Sequence, residues 1–178
     1  MKEEELNKFL DDHKLWLESE GKEGKPAVLK GVYLKYVNLS GANLIGATLS
    51  DSNLYGANLS GANLKGANLI GVVLTDSNLK GANLESANLK YSRLSYSDLI
   101  GANLESAILD SSNLQGAIMK EANLKGASLY NANLEGAKFT TEIRNARDLA
   151  YCRITKHKLT WFALHQEFSK FYPTIKMY

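Results

Sequence analysis

The side chains that most often carry out catalysis or bind metals are few in this chain and lie far apart. The three histidines stand at 13, 157 and 165, and Cys152 is the single cysteine. Cys152, His157 and His165 do not have the spacing of a zinc site, and one cysteine cannot form an internal disulfide. The acidic residues between 27 and 141 are dispersed singly among basic ones, and no nucleophile–base–acid set is evident. We therefore expect no enzyme activity, no metal site and no cofactor.

The composition is that of one globular domain without membrane or secretion signals. The chain has 178 residues, of which 44% are hydrophobic and 22% charged, with a formal net charge of +2. No apolar run approaches the ~20 residues of a membrane-spanning helix, and the charged opening lacks the apolar stretch of a secretory signal. A single cysteine is compatible with a reducing compartment. We expect a cytoplasmic protein with no membrane partner.

A five-residue repeat runs through most of the chain and assigns nearly every residue there to one of five positions. Its central residue occurs at 23 successive positions from 29 to 139, and 21 of these are Leu. Two residues earlier the side chain is Ala, Ser or Val. One residue earlier it is Asn 13 times, and two residues later it is Gly 12 times. Leucines at this spacing cannot share one side of a straight helix or strand, so the chain must bend in every repeat. Four bends close one coil, which predicts a core column of leucines four repeats apart: Leu44, Leu64, Leu84, Leu104 and Leu124.

Segments such as GANLS, GANLK, SANLK and EANLK resemble the pentapeptide repeat family, whose consensus is alanine, aspartate or asparagine, leucine and two variable residues. The resemblance covers about residues 27 to 141. The opening LDDHKLWLESEGKEGKPA also resembles that of some bacterial and phage members, which suggests a bacterial-like protein. It implies a right-handed quadrilateral parallel β-helix, which is an all-β solenoid. In that fold the leucine and the small residue point inward and the other three residues point outward.

Residues one coil apart should contact each other along the surface of such a rod. One column of amides is interpreted as capping turns and bonding along the rod rather than as a binding array: Asn43, Asn63, Asn83, Asn103 and Asn123. Three pairs of opposite charge should form across coils: Lys65 with Glu85, Lys90 with Asp110, and Glu105 with Lys125.

Two further expectations concern buried serines and the corners. The hydroxyls at five inward positions should reach backbone acceptors nearby: Ser52, Ser77, Ser92, Ser97 and Ser112. Glycine permits type II turns at the corners, but Glu121 stands in a column of glycines. Because φ > 0 is unfavourable for glutamate, we expect that corner to shift to a type I turn.

The limits of the repeat divide the chain into three segments. Residues 1–26 should form an N-terminal helical cap, because apolar residues recur at helical spacing from Leu6 to Leu17. Residues 27–141 should form the β-helix of 23 repeats. Residues 142–178 should form a C-terminal helical cap, with a second apolar stripe from Trp161 to Tyr172. Caps are expected because a solenoid exposes its core and unpaired strand edges at each end.

The leading interpretation of function is a non-enzymatic scaffold or protein-binding module for an unknown partner. The segment 142–178 has a net charge of +4, whereas 1–26 has −3. The candidate partner surface therefore lies in the C-terminal cap: Arg153, Lys156, Lys158, Trp161 and Phe168. Binding of nucleic acid or an acidic protein by this basic cap is one alternative, and a homodimer through the cap is another.

A second function class follows from the family resemblance, since some members mimic a DNA duplex and regulate type II topoisomerases. Duplex DNA carries one negative charge per ~1.7 Å, so a rod of ~28 Å would need about 16 of them. Residues 27–141 contain nine basic and eight acidic groups, a net charge of +1. The position that the family consensus allows to be Asp is Asp only at Asp98 here. We therefore rank DNA mimicry below a binding role of another kind.

Overall fold

The computed structural model describes residues 2–138, Ala146, Cys152 and the backbone of Arg153–Ile154 and Lys176–Met177. It begins with one helix, α1 (Glu3–Glu18), which is followed by the coiled rod. Three short strands come last: β1 (Asn133–Leu134), β2 (Arg153–Ile154) and β3 (Lys176–Met177). Within these described ranges, no helix is long and apolar enough to cross a membrane.

Each coil of the rod pairs with the next through parallel β-bridges between residues 20 apart, which run from Val28↔Thr48 to Ile118↔Lys138. These bridges are isolated because the chain turns a corner after each short extended segment. In a representative repeat, the Leu84 amide donates to the Asn103 carbonyl of the next coil at 2.6 Å. The Asn83 amide donates to the Ala62 carbonyl of the preceding coil at 2.9 Å. Four five-residue repeats thus make one coil, and the rod is a four-sided parallel β-helix.

The four faces are numbered by their leucine columns. The first face contains Leu29 and Leu49, the second Leu34 and Leu54, the third Leu39 and Leu59, and the fourth the column Leu44, Leu64, Leu84, Leu104 and Leu124. All five leucines of the fourth column are at most 1% exposed.

Every described corner of the rod has a left-handed backbone. The residue two positions after each central residue has φ between 56° and 69°. The next amide bonds back across the corner, as from Ala87 to the Leu84 carbonyl at 3.0 Å. This is the geometry of a type II turn. The prediction of a type I turn at Glu121 is wrong, because its φ is 60°. The repeated bonds between coils impose one corner geometry, and they outweigh a steric penalty of roughly 1–2 kcal/mol for a non-glycine residue.

The core follows the repeat, with one exception at the start of the rod. Central leucines from Leu29 to Leu134 are at most 4% exposed. The small inward residues are also buried, except that Val32, Val37 and Ala42 are only half-buried. These three lie in the first coil, which has no coil before it to cover its edge.

Helix α1 lies against this first coil. Leu6 is buried, and Phe9 and Leu10 pack against the core of the rod. His13 is fully buried, and its Nδ1 accepts a hydrogen bond from the Ala27 amide at 3.1 Å. A helix is therefore present within residues 1–26, and its apolar side faces the start of the β-helix.

The described backbone beyond residue 141 continues the ladder. Strand β2 pairs in parallel with β1, with Arg153 opposite Asn133, and β3 pairs in parallel with β2. Cys152 occupies the inward small position of this turn; it is fully buried and its Sγ donates to the Leu129 carbonyl at 2.7 Å. Segment 142–178, expected to be a helical cap, thus contributes two strands to the sheet. The helix expected from Trp161 to Tyr172 lies outside the described residues.

Candidate functional site

Asparagine side chains bond to each other between coils and to backbone amides of their own repeat. Asn83 Oδ1 accepts the Glu85 amide at 3.1 Å and Asn103 Nδ2 at 3.2 Å, while Asn83 Nδ2 donates to Asn63 Oδ1 at 3.2 Å. In most described repeats that have this asparagine, its side chain accepts the amide one residue after the central leucine, which donates to no backbone carbonyl. Similar bonds join Asn123 to Asn103 and Asn58 to Asn38. The interpretation of these amides as turn caps that bond along the rod is confirmed for Asn63, Asn83, Asn103 and Asn123.

Ion pairs between neighbouring coils neutralise much of the charge on the rod. Lys65 contacts Glu85 at 3.0 Å, Lys90 contacts Asp110 at 3.4 Å and Lys125 contacts Glu105 at 3.2 Å, as predicted. A fourth pair, Lys80 with Asp98 at 3.1 Å, was not predicted because its residues are 18 apart rather than one full coil. Hydrogen bonds from Lys125 and then Asn123 lower the pKa of the Glu105 carboxyl. Because these pairs are exposed to solvent, each contributes little to stability.

Three of the five inward serines donate to a carbonyl three residues earlier: Ser52, Ser77 and Ser97, at 2.6 to 2.7 Å. The hydroxyls of Ser92 and Ser112 are buried without any partner. The prediction that all five reach the backbone is therefore wrong for these two, which lie one coil apart in the same column.

His13 is the one buried histidine among the described residues. Because its Nδ1 accepts the Ala27 amide, its proton lies on Nε2, which has no hydrogen-bond partner. Burial lowers the pKa of His13 below its ordinary 6.5, and the nearby Ile45 backbone acts in the opposite direction. The ring also stacks on Trp16 with centroids 5.8 Å apart. His13 therefore links α1 to the first coil.

Groups that could bind a metal do not converge in the described part of the chain. No set of three or more His, Cys, Asp or Glu side chains lies close enough there to hold an ion. A cavity of about 390 Å³ lies between α1 and the first coil, lined by apolar and aromatic side chains such as Leu6 and Tyr33 and by polar or charged ones such as Lys2, Glu3 and Asn38.

The tyrosines of the rod concentrate on one side, a feature that sequence reasoning missed. Of the six tyrosines between residues 27 and 138, Tyr33 and Tyr55 lie on the second face, and Tyr36, Tyr91 and Tyr96 lie at its two corners. The sixth, Tyr130, precedes one of those corners. The sequence signal was Tyr at 36, 91 and 96, the position at which most repeats have Gly.

Two of the corner tyrosines cover backbone of the next coil. The Tyr36 and Tyr96 rings lie so close over Gly56 and Gly116 of the next coil that a Cβ there would be 2.6 Å from each ring. The Tyr36 and Tyr55 rings meet edge to face at 5.5 Å. A hydrogen bond to Asp76, and then the charge of that carboxylate, raise the pKa of Tyr55 above 10.0.

The predicted partner surface is described only at the backbone of Arg153, which lies in β2 between β1 and β3. Lys156, Lys158, Trp161 and Phe168 lie outside the described residues. The structure therefore does not test whether these five residues lie together, and they remain a prediction.

Comparison with known proteins places the chain in a family. The family model described as pentapeptide repeats (8 copies) matches residues 27–66, 67–105 and 107–141. No curated protein matches the chain. Among solved structures, the chain is similar to HetL, a pentapeptide repeat protein involved in heterocyst differentiation regulation from the cyanobacterium Nostoc sp. Strain PCC 7120. The two share 35% identity over 72% of this chain, with a TM-score of 0.67.

This chain spans only 60% of HetL. It is also similar in fold to QnrB1, a plasmid-mediated fluoroquinolone resistance protein, at 19% identity, with 74% of this chain and 83% of that chain covered and a TM-score of 0.54. Proteins of this kind are known as right-handed β-helices. The bridges 20 residues apart, the leucine core and the matched residues agree, and the chain belongs to the pentapeptide repeat family.

Proposed function

We propose that the protein is a non-enzymatic scaffold that binds another protein through the outward side chains of the rod. The observation that carries this proposal is the contrast between an invariant backbone ladder and outward residues that differ from coil to coil. On the second face, the position before the leucine is Tyr33, Asn53, Val73, Arg93 and Asn113 in successive coils. Such a rod presents side chains on a rigid lattice, as solenoid proteins do when they bind partners.

The relatives support a binding role without specifying the partner. HetL is described as involved in regulating differentiation, and pentapeptide repeat proteins are generally structural or binding modules. Among the described residues no cluster of His, Cys, Asp or Glu that could hold a metal ion competes with this interpretation. The likeness to QnrB1 extends to the fold alone.

The DNA-mimic alternative is disfavoured by charge. Four lysines of the rod already neutralise carboxylates, and the segment 27–141 has a net charge of +1. A duplex of that length would carry on the order of 16 negative charges. The alternatives that depend on the basic segment 142–178, nucleic-acid or acidic-protein binding and homodimerisation, rest on residues outside the described part.

The proposal is tested by capture from native-host lysate on the full chain and on a variant that lacks residues 155–178. Each captured protein is then purified and titrated against the chain by calorimetry. We expect saturable binding of one protein to both forms. Capture of gyrase or topoisomerase IV would instead support the mimicry alternative, and binding lost only with the truncation would locate recognition in the C-terminal segment. Absence of any saturable protein partner would contradict the proposal.

A further inference from the structure

The second face has exposed tyrosines at corners where tyrosine is sterically disfavoured. Tyr36, Tyr91 and Tyr96 have φ of 58°, 61° and 59°, and their exposed fractions are 72%, 65% and 59%. Twelve of the 22 described corners of the rod are glycine, which adopts this conformation at no steric cost. The other non-glycine corners are Asp, Asn, Ser and Glu. Bulky residues with positive φ are outliers, and such strain concentrates at functional sites.

One coil combines two of these tyrosines with an arginine. Arg93 replaces the usual asparagine on the second face, two residues after Tyr91 and three before Tyr96. Its side chain is exposed, and it takes part in none of the ion pairs among the described residues. Two acidic residues of the same and the next coil are paired elsewhere, because Asp98 and Asp110 form ion pairs with lysines.

The chemistry of these three side chains indicates the kind of partner. A guanidinium binds a carboxylate through two parallel hydrogen bonds, a geometry that lysine cannot reproduce. Tyrosine and arginine are the residue types that most often dominate binding energy at protein interfaces. A nucleic-acid partner would need a basic stripe, whereas the second face of the described rod carries only Lys35 and Arg93 as basic side chains.

We propose that Tyr91, Arg93 and Tyr96 form the centre of a docking surface for a protein that places an Asp or Glu carboxylate on Arg93. The two tyrosine rings flank that contact and pack against the partner's apolar side chains. This inference rests on the binding function proposed above and adds its location and the chemistry of the partner.

The test uses a library of random peptides displayed on phage, selected against the immobilised full chain. Selected peptides are synthesised and titrated against Arg93→Ala, Arg93→Lys, Tyr91→Gly and Tyr96→Gly. Lys120→Ala and Ser86→Gly serve as matched controls, because Lys120 is an exposed cation on the third face and Ser86 a left-handed corner away from the second face.

We expect the selected peptides to be enriched in Asp and Glu. Their Kd should rise about ten-fold or more with Arg93→Ala and with each Tyr→Gly change, and Arg93→Lys should not restore it. The two controls should leave Kd unchanged. A Tyr91→Gly variant with a melting temperature no lower than that of the wild type shows that this tyrosine is not required for folding.

Three results would overturn the inference. Peptides whose Kd is insensitive to Arg93→Ala would bind elsewhere, which leaves the proposed binding function intact while rejecting this surface. Displacement of the peptides by a single-stranded oligonucleotide that binds more tightly than they do would assign the surface to nucleic acid. A selection without acidic enrichment would reject the carboxylate contact.

Discussion

The buried serines allow one chemical change to have opposite effects at equivalent positions. Ser112 and Ser97 both occupy the inward small position and are at most 2% exposed. The Ser97 hydroxyl donates to the Leu94 carbonyl at 2.7 Å, whereas the Ser112 hydroxyl has no partner. Ser→Ala removes the same atom at both sites, so the difference in the free energy of unfolding reports the hydrogen bond and little else.

The magnitudes follow from the cost of burying a polar group. A buried hydroxyl without a partner costs about 1–3 kcal/mol, so Ser112→Ala should raise the free energy of unfolding by about that amount. Ser97→Ala removes a net contribution of roughly 0.5–1.5 kcal/mol and should lower it. The predicted separation between the two variants is therefore at least about 1.5 kcal/mol, or roughly 3–6 °C in melting temperature.

Urea unfolding followed by circular dichroism, with unchanged m-values, measures both variants against the wild type. Ser92→Ala should behave like Ser112→Ala, because its hydroxyl also lacks a partner. Equal loss of stability in Ser112→Ala and Ser97→Ala would refute the reasoning, since it would mean that the Ser112 hydroxyl is hydrogen-bonded in solution.

Three further changes probe the core, the corners and the helix contact. Leu84→Ala should lower the free energy of unfolding by about 2–5 kcal/mol through the cavity that it leaves, measured by urea unfolding; a loss below 1 kcal/mol, by the same principle, would contradict a tightly packed leucine column. Gly81→Ala should cost about 1 kcal/mol from its φ of 62° alone, because the added Cβ meets no atom within 4 Å; an unchanged melting temperature would argue against a left-handed corner there. For His13 the folded pKa lies below 6.5, so the unfolded chain takes up the proton first. Stability is therefore full above the unfolded pKa and should fall as pH drops through 6.5 toward the folded pKa, by at most about 1.4 kcal/mol per pH unit. The difference in stability between wild type and His13→Gln across that range isolates this histidine, and a pH-independent difference would reject its titration.

The repeat fold was predictable from the sequence because one spacing determines both the turns and the core. The leucine positions, the type II option and the cross-coil pair Lys65–Glu85 all follow from four repeats per coil. Glu121 was mispredicted because local preference was weighed without the ladder, which holds every corner of its column in one conformation. Ser112 was mispredicted because a hydroxyl's partner depends on rotamer and not on position in the repeat.

The continuation of the ladder into β2 was missed for a different reason. Cys152 is buried one coil after Ala132, and the Ile154 backbone pairs with Leu134, but the segment that leads from β1 to β2 lacks the repeat signature. A count of leucines therefore places the end of the rod too early. The positions of Cys152 and Ile154, 20 residues after Ala132 and Leu134, indicate that the ladder continues. Sequence alone could not select the second face as the candidate binding surface. The exposure of its tyrosines and the absence of an ion-pair partner for Arg93 among the described residues depend on the neighbouring coils.

The fold also explains why function should be sought in so few residues. In each repeat the backbone amides, the leucine, the small residue and most asparagines are committed to holding coils together. Only the outward positions and the corners can change without altering that ladder, and the corners admit non-glycine residues at a steric cost. Asp and Asn tolerate a left-handed backbone better than a tyrosine does. Tyr36 and Tyr96 each cover a glycine of the next coil, and that packing offsets part of the steric cost. Tyr91 has no such glycine, because the corresponding corner of the next coil is Ser111. Among the tyrosine corners, Tyr91 is therefore the one that packing against the next coil explains least, which is why the proposed docking surface includes it.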